Sequence, residues 1–282
     1  MLLNKTIGFI GAGSMTEALL KGIIQSGTVK PENVLVSNKV NRARLEKLQE
    51  NWGVTGCAKD EVIRRAEVII LAVKPKDVAL VMAEAGPELS AQQILLSVAA
   101  GIPTAFIEDF CEQKVQVVRA MPNTSCTVLA SATAIARGKY AGTEAEELAA
   151  ELFASVGKVE RVAEDQLDAI TGLSGSGPAY VYYMIEAMEQ AGEQVGLPKE
   201  MALKLATQTV FGAAKMLMET GEKPLHLRTA VSSPGGTTLA GLQALSSHGF
   251  HEALCAAVKA ATNRSKEMGL EFTGMAGGVI SG

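Results

Sequence analysis

The stretch Thr6-Ile7-Gly8-Phe9-Ile10-Gly11-Ala12-Gly13-Ser14-Met15-Thr16 decides the fold of the first half of this chain. Its apolar residues predict a short buried strand, and a helical pattern over about Met15–Ser26 follows directly after the glycines. Gly11 permits a tight turn, and Gly13 lets the backbone approach a pyrophosphate at the helix N-terminus. Thr16 occupies the third fingerprint position, where Gly or Ala gives the closest helix–strand packing. The stretch predicts a dinucleotide-binding domain.

Further strand patterns extend this unit into a parallel sheet. Strands are predicted over residues 33–36, 67–73, 93–98, 115–120, 132–136 and 156–162, with a helix over 144–155. Near-continuous apolar runs are typical of parallel strands that are buried on both faces. Ligands of such sheets bind beyond the carboxyl ends of the strands, where Lys74-Pro75, Ala99–Gly101 and Met121–Thr124 lie in the sequence. We therefore predict a Rossmann-type α/β domain over residues 1–163 with a nucleotide cleft at this edge.

The end of the second predicted strand favours NADPH as the cofactor. A free ribose 2′-hydroxyl usually meets Asp or Glu about 20 residues beyond the glycines. This chain instead supplies Ser37-Asn38-Lys39, followed by Arg42 and Arg44. Hydroxyl, amide and ammonium donors suit a 2′-phosphate, although NADH use stays possible. Arg42 and Arg44 have a second interpretation as the solvated face of a helix over residues 41–51, which we prefer for Arg44.

Helical patterns replace the strands after Glu164. Helices are predicted over residues 179–195, 200–219, 224–231, 239–245 and 252–268, with a glycine/serine break between helices at Gly172–Pro178. These helices are apolar over wide arcs, so most of their surface has to be buried. A bundle of this size can hardly cover that surface alone, and we expect a homodimer or larger homo-oligomer. The glycine-rich tail Gly274–Gly282 is expected to be poorly ordered.

The stretch Ser232-Ser233-Pro234-Gly235-Gly236-Thr237-Thr238 has the composition of an anion-binding loop. Its glycines let backbone N–H groups approach a ligand, hydroxyl groups flank them, and an apolar helix follows. The N–H groups of the loop would then lie at the positive end of a helix dipole. An ordinary helix cap with a nearby proline has the same composition. The local sequence leaves both interpretations open.

Composition excludes several classes of function. The chain of 282 residues has a net charge of −4, is 48% hydrophobic and 20% charged, and has no basic cluster interleaved with aromatic residues. These values argue against nucleic acid as a partner. No apolar run reaches the length of about 18 residues that spans a membrane, and Met1–Lys5 leads into a strand without room for a signal peptide. The four cysteines are far apart and lack CxxC spacing. We expect a cytoplasmic protein with reduced thiols and no metal site.

Together these motifs resemble the pyrroline-5-carboxylate reductase family, whose members make proline from 1-pyrroline-5-carboxylate with NAD(P)H. The resemblance covers nearly the whole chain. It is carried by Gly11–Met15, Ala72–Pro75, Ala99–Gly101, Met121–Thr124 and, most specifically, Gly172–Tyr180 and Ser233–Thr238. It implies a Rossmann-type N-terminal domain, a helical dimerisation and substrate-binding domain over residues 164–282, and an active site at the subunit interface.

The resemblance also implies site residues, motif by motif. The cofactor pyrophosphate would lie against Ile10, Gly11, Ala12, Gly13, Ser14 and Met15, the adenosine ribose or its phosphate against Ser37, Asn38 and Lys39, and the nicotinamide ribose against Val73, Lys74, Pro75 and Ala100. The substrate would lie against Ser233, Gly235, Gly236, Thr237 and Thr238, with Glu164 nearby. We expect the Thr238 hydroxyl to hydrogen-bond the ring nitrogen, which makes Thr238 the candidate catalytic residue. Glu164 either balances a cationic iminium or begins the helix after the domain boundary.

Two other functions fit parts of the sequence. A β-hydroxyacid dehydrogenase-like oxidoreductase shares the glycine turn, Met15 and a helical second domain, but it needs a lysine followed four residues later by asparagine. The nearest candidate is Lys215, which is followed by Glu219 and is better interpreted as a solvated helix residue. A non-catalytic NADP-binding module explains the first half and leaves Ser233–Thr238 without a ligand.

Overall fold

The computed structural model describes residues 2–276, so the last part of the glycine-rich tail, residues 277–282, lies outside the described residues. Its strands are β1 (Ile7–Ile10), β2 (Val34–Ser37), β3 (Thr55–Gly56), β4 (Val68–Leu71), β5 (Ile94–Ser97), β6 (Gln116–Met121), β7 (Ser131–Arg137) and β8 (Gly157–Arg161). Its α-helices are α1 (Ser14–Gln25), α2 (Arg42–Trp52), α3 (Lys59–Arg65), α4 (Val78–Ala85), α5 (Thr104–Glu108), α6 (Thr143–Ala154), α7 (Leu167–Ile170), α8 (Gly177–Gln194), α9 (Lys199–Thr220), α10 (Pro224–Ala230), α11 (Thr237–Ser247) and α12 (Phe250–Ala276).

The strands form one sheet in the order β3-β2-β1-β4-β5-β6-β7-β8, in which only the β6–β7 pair is antiparallel. β1 lies between β2 and β4, and its last residue, Ile10, is in register with Ser37 on one side and Leu71 on the other. Successive strands lead away from β1 in both directions, which creates a switch of strand order between β1 and β4. Ligands bind at such switch points in open α/β sheets. The predicted Rossmann-type fold is confirmed.

The sheet carries a hydrophobic core on each face. β1, β2, β4 and β5 are buried along their whole length, as the continuous apolar runs predict. On one face α1 and α6 pack against the sheet through Leu19 and Phe153, both fully buried. On the other face α3 and α4 contribute Val62 and Met82. Each large side chain buried in this way stabilises the fold by about 1.5–3 kcal/mol.

The break predicted at Gly172–Pro178 is wrong in its first part, because Thr171–Gly175 forms a π-helical turn after α7. A bend at Ser176 then separates this turn from α8, which begins at Gly177 with Pro178 in its first turn. The wider π-helical turn is closed by the Ser176 N–H, which donates to the Thr171 carbonyl at 2.8 Å. Gly175 lies so close to Met121 that a Cβ there would be 2.6 Å from the methionine Cε. The small residues therefore allow close packing on the end of β6.

Internal contacts divide the described chain into two compact units, residues 2–176 with 259–276 and residues 177–258. This division differs from the boundary predicted between Ala163 and Glu164, since the first unit continues to Ser176 and takes in the end of α12. The physical reason is a set of polar contacts within the first unit: Glu164 and Asp168 pair with Arg119 of β6. Ser265 of α12 donates to Asp168 at 2.7 Å.

The second unit is built from α8–α11 and the start of α12, as the helical pattern predicts. α8 packs tightly on α9, since a Cβ at Gly192 would lie 2.7 Å from the Ala202 Cβ. Many large apolar side chains are nevertheless exposed in the single chain, among them Tyr183, Met201, Leu205, Phe211, Met218, Leu225 and Leu245. The wide apolar arcs thus lack cover within this unit.

Candidate active site

The turn after β1 requires glycine at Gly11. Gly11 has a φ of +111°, and a Cβ at this position would overlap the Ala72 carbonyl oxygen. The Gly11 N–H donates to the Ser37 carbonyl at 3.0 Å, which ties the turn to the end of β2. Thr16 is fully buried and its Oγ1 donates to the Gly11 carbonyl at 2.8 Å. Threonine at the third fingerprint position therefore packs well and adds a hydrogen bond to the turn.

Helix α1 begins directly behind this turn with unused N–H donors. Its N-cap, Gly13, provides no side-chain hydrogen bond, and the Glu17 N–H donates the first backbone bond of the helix, to the Gly13 carbonyl at 3.1 Å. The N–H groups that precede Glu17 point out of the helix end, where the helix dipole is positive. A Cβ at Gly13 would meet no atom within 4 Å, so the space above the turn is open. This geometry suits a phosphate group.

A cavity of about 740 Å³ lies beside this helix end, at the carboxyl ends of β1, β2 and β4. Most of the predicted cofactor residues line it, namely Ile10, Gly11, Ala12, Gly13, Ser37, Asn38, Lys39, Val73 and Lys74. Ser14, Met15, Pro75 and Ala100 are not part of its lining. The Ser37 hydroxyl is buried and donates to the Phe9 carbonyl at 3.2 Å, so it also helps to join β2 to β1.

Arg44 makes specific contacts, so its preferred interpretation as a solvated helix residue is wrong. Its Nε donates to the Ala12 carbonyl at 3.0 Å, and its Nη2 pairs with the Glu17 Oε2 at 2.6 Å. Arg44 therefore fastens α2 to the glycine turn and lines the cavity. Asn41 caps α2 by accepting the Arg44 N–H at 2.9 Å, which fixes the direction in which the helix leaves β2.

Sequence reasoning missed the outer wall of the cavity. This wall consists of Lys59 from α3, Lys76 and Asp77 before α4, and Leu80, Val81 and Glu84 from α4. Lys39, Lys59, Lys74, Lys76 and Arg44 give the lining an excess of positive charge over Asp77 and Glu84. In the sequence Lys59 precedes β4, and Lys74 and Lys76 follow it. Periodicity alone does not tell which of these lysines face a common cavity.

Glu164 is held within the first unit by Thr104 and Arg119. The Thr104 N–H and Oγ1 donate to the two Glu164 carboxylate oxygens at 2.7 and 2.6 Å. The Arg119 Nη1 lies 3.5 Å from Glu164 Oε1, and its Nη2 lies 3.6 Å from Asp168 Oδ1. Arg119 itself is only 4% exposed. Glu164, the first residue after the predicted domain boundary, thus anchors the start of α5 to β6.

The loop 232–238 lies in the second unit as an exposed turn that leads into α11. Gly235 has a φ of +72°, and the Gly236 N–H donates to the Ser233 carbonyl at 3.0 Å. Gly236 is the N-cap of α11, and it provides no side-chain cap. The N–H groups of Thr237 and Thr238 therefore begin the helix without a side-chain partner. The loop caps its helix through the turn and still presents donors to an anion.

Three further observations concern the chemistry of the described chain. Residues 2–276 contain no group of three or more histidine, cysteine or acidic side chains that is arranged to hold a metal ion. Burial raises the pKa of the Cys57 and Cys126 thiols, and it raises the pKa of Cys111 to about 11. These thiols stay protonated near neutral pH and are poor nucleophiles. On α9, Lys215 pairs with Glu219 at 3.5 Å and both side chains are largely exposed, as expected of solvated helix residues.

Among residues 2–276, no helix combines the length and apolar character needed to cross a membrane.

Two family models match the chain. One is pyrroline-5-carboxylate reductase dimerisation, over residues 164–268, and the other is NADP oxidoreductase, coenzyme F420-dependent, over residues 6–101. Pyrroline-5-carboxylate reductase 1 of Bacillus spizizenii is 45% identical over 266 residues, which cover 94% of this chain and 90% of the relative.

Solved structures of pyrroline carboxylate reductases are similar to this chain in fold and in sequence. A pyrroline-5-carboxylate reductase from Coxiella burnetii has a TM-score of 0.88 and 38% identity, covering 94% of this chain and 98% of that chain. Plasmodium falciparum pyrroline carboxylate reductase with NADP bound has a TM-score of 0.85 and 30% identity, covering 95% of this chain and 100% of that chain. By its sequence and its fold, this chain belongs to the pyrroline-5-carboxylate reductase family.

Proposed function

We propose that this chain reduces 1-pyrroline-5-carboxylate to L-proline with NADPH, the last step of proline biosynthesis, and that NADH is also accepted. The observation that carries the proposal is a basic dinucleotide-type cavity in a chain 45% identical to a pyrroline-5-carboxylate reductase over 94% of its length. The uncharged donor loop 232–238 supplies what such a reaction needs for a small carboxylate.

The residues around the cavity fit a dinucleotide. Gly11 and Gly13 leave room for the pyrophosphate, and the first N–H groups of α1, from Ser14, Met15 and Thr16, supply its donors. Ser37, Asn38 and Lys39 are the proposed contacts of the adenosine ribose and its phosphate. Val73, Lys74, Pro75 and Ala100 follow β4 and β5 and are the proposed contacts of the nicotinamide ribose. When bound, the nicotinamide supplies the hydride.

The proposed substrate site is the loop Ser233–Thr238. The Gly236 N–H is already engaged by Ser233, so the donors left for the substrate carboxylate are the N–H groups of Gly235, Thr237 and Thr238 and the Ser233 hydroxyl. The Thr238 hydroxyl hydrogen-bonds the ring nitrogen. Glu164 is already bound by Thr104 and Arg119. Its proposed role is therefore electrostatic only, with its negative charge balancing the cationic iminium.

The chemistry needs positioning more than activation. A cyclic imine becomes a good hydride acceptor once its nitrogen is protonated, and addition of hydride to the carbon of the C=N bond then gives the secondary amine of proline. No protein nucleophile or metal takes part in this scheme. The carboxylate contacts and Thr238 hold the ring in one orientation, and such positioning lowers a barrier by several kcal/mol.

The exposed apolar side chains of the second unit support a homodimer or a larger homo-oligomer that buries them. The matched family model describes dimerisation over residues 164–268, and this range includes the whole second unit. We include in the proposal that the active site forms at the subunit interface. The cytoplasmic location stays a prediction, consistent with four cysteines that are all free.

The test is NADPH oxidation, followed at 340 nm, with 1-pyrroline-5-carboxylate as substrate. Thr238→Ala is expected to lower kcat by about tenfold or more, the loss of roughly one hydrogen bond in the transition state. Its NADPH affinity should stay within about twofold of the parent, and Thr238→Ser, which keeps a hydroxyl, should retain most of the activity. No turnover of the imine by folded protein that binds NADPH would refute the function. Oxidation of 3-hydroxy acids with NADP would favour the dehydrogenase alternative.

A further inference from the structure

Lys59 and Glu84 form an ion pair across the outer wall of the cofactor cavity. Lys59 is the first residue of α3, and Glu84 lies near the end of α4. The Lys59 Nζ donates to Glu84 Oε2, and both residues line the cavity together with Lys39 at the end of β2. The Lys59 side chain is only 22% exposed, whereas Glu84 is 53% exposed. The lysine is therefore held in place while the carboxylate has access to solvent.

Two ammonium groups act on this single carboxylate. The hydrogen bond from Lys59 and the charge of Lys59 lower the pKa of Glu84, and the charge of Lys39 lowers it further. Glu84 is thus ionised at neutral pH. Lys39 is exposed and makes no hydrogen bond or ion pair within the described residues. Both lysines line the cavity, and within residues 2–276 Glu84 is the only carboxylate that pairs with Lys59.

A phosphate group has the charge and the acceptor oxygens to replace the Glu84 carboxylate as the partner of Lys59. Charge-assisted hydrogen bonds of this kind are about twice as strong as neutral ones. We propose that Lys59, together with Lys39, binds the 2′-phosphate of NADPH, and that Glu84 competes with this phosphate for Lys59. The proposal rests on the proposed NADPH-dependent function. It makes Lys59 and Glu84 a pair that determines cofactor specificity, with opposite effects.

The alternative role of the pair is structural, a surface salt bridge that joins α3 to α4. Such bridges contribute little to stability, and their loss would affect NADPH and NADH alike. The 2′-phosphate is the only difference between the two cofactors, so the ratio of their dissociation constants isolates the proposed contact. Adenosine 2′,5′-bisphosphate and 5′-AMP provide the same comparison without the nicotinamide.

The experiment is calorimetric titration of Lys59→Ala, Lys59→Gln and Glu84→Gln with these four ligands. Both Lys59 variants are expected to weaken NADPH about tenfold, equivalent to about 1.4 kcal/mol, and to leave NADH within about twofold. Glu84→Gln should tighten NADPH about threefold without a comparable change for NADH. Lys47→Ala and Glu50→Gln on α2, exposed residues outside the cavity, are matched charge controls and should change neither ratio.

Equal weakening of NADPH and NADH in the Lys59 variants, or no change in either, would overturn the proposal in favour of the structural role. An unchanged NADPH affinity in Glu84→Gln would overturn the competition by Glu84. The titrations contain no imine, so their outcome is separate from the proposed reaction. A protein that shows the expected ratios but no turnover of 1-pyrroline-5-carboxylate would refute the function and leave the assignment of Lys59 intact.

Discussion

Replacing Glu164 by alanine separates its two interpretations, because one predicts a loss of stability and the other a loss of substrate binding. The carboxylate accepts hydrogen bonds from the Thr104 N–H and Oγ1 at 2.7 and 2.6 Å and pairs with Arg119 at 3.5 Å. In Glu164→Ala, Thr104 loses both acceptors. Arg119, 5% exposed in its side chain, keeps only Asp168 at 3.6 Å, and its Nη2 already lacks a hydrogen-bond partner.

The magnitude follows from these contacts. Hydrogen bonds to charged groups contribute about 1.5–3 kcal/mol each. The ion pair counts for about 1 kcal/mol at most, since Glu164 is 28% exposed and is screened by water. Water recovers part of the lost bonding, so we expect a net cost of about 3 kcal/mol. For a unit of this size that lowers the melting temperature by about 6–12 °C. Glu164→Gln keeps one acceptor and should cost about 1 kcal/mol.

Thermal unfolding and steady-state kinetics are measured on the same samples. Asp165→Ala is the control, because it removes an adjacent exposed carboxylate that makes no contact with Arg119. If Glu164 chiefly anchors α5, Glu164→Ala melts early while the KM for 1-pyrroline-5-carboxylate changes little at a temperature where the variant is folded. A melting temperature equal to that of the parent, with a KM raised equally in the alanine and glutamine variants, would contradict the anchoring role and support the charge role.

Two further predictions concern local geometry. Gly11→Ala should lose about 2 kcal/mol of stability through a strained φ and should also lose NADPH binding. Gly13→Ala should lose NADPH binding alone, because of these two glycines only Gly11 has a neighbour in the path of a Cβ. Equal melting temperatures of the two variants would contradict this prediction. Asn123→Ala removes the Nδ2 donor of the 3.0 Å hydrogen bond to the Ser174 carbonyl, so it should speed amide hydrogen exchange in Thr171–Gly175. The control, Gln190→Ala on the exposed face of α8, should leave this exchange unchanged.

The inner half of the proposed cofactor cavity was predictable because the sequence determines where parallel strands end. Ile10, Ser37 and Leu71 lie in one register, so the residues that follow each strand meet at one edge. Apolar runs locate these ends well, and glycines mark the turn. Lys39 and Lys74, which follow β2 and β4, both line the cavity.

The outer half of the cavity was not predictable, because it depends on the angles at which short helices leave the sheet. Arg44 donates to the Ala12 carbonyl from the first turn of α2, a helix that Asn41 caps. Lys59 and Glu84 belong to α3 and α4, which are too short for a clear periodic pattern. The π turn at Thr171–Gly175 was not predicted either, because its glycines and serine are also typical of a loop.

The two proposed binding regions differ in charge, and the proposed reaction explains the difference. The proposed cofactor cavity is lined by four lysines and Arg44, which suits a ligand with several phosphate charges. Residues 232–238 contain no charged side chain at all. A lysine about 4 Å from the ring nitrogen would disfavour the protonated imine by about 4 kcal/mol at an effective dielectric constant of 20, equivalent to about three pKa units. Backbone N–H groups at a helix N-terminus bind a carboxylate with only partial charge. In the proposed reaction, an uncharged loop would therefore hold the substrate's anion and preserve the iminium that accepts the hydride.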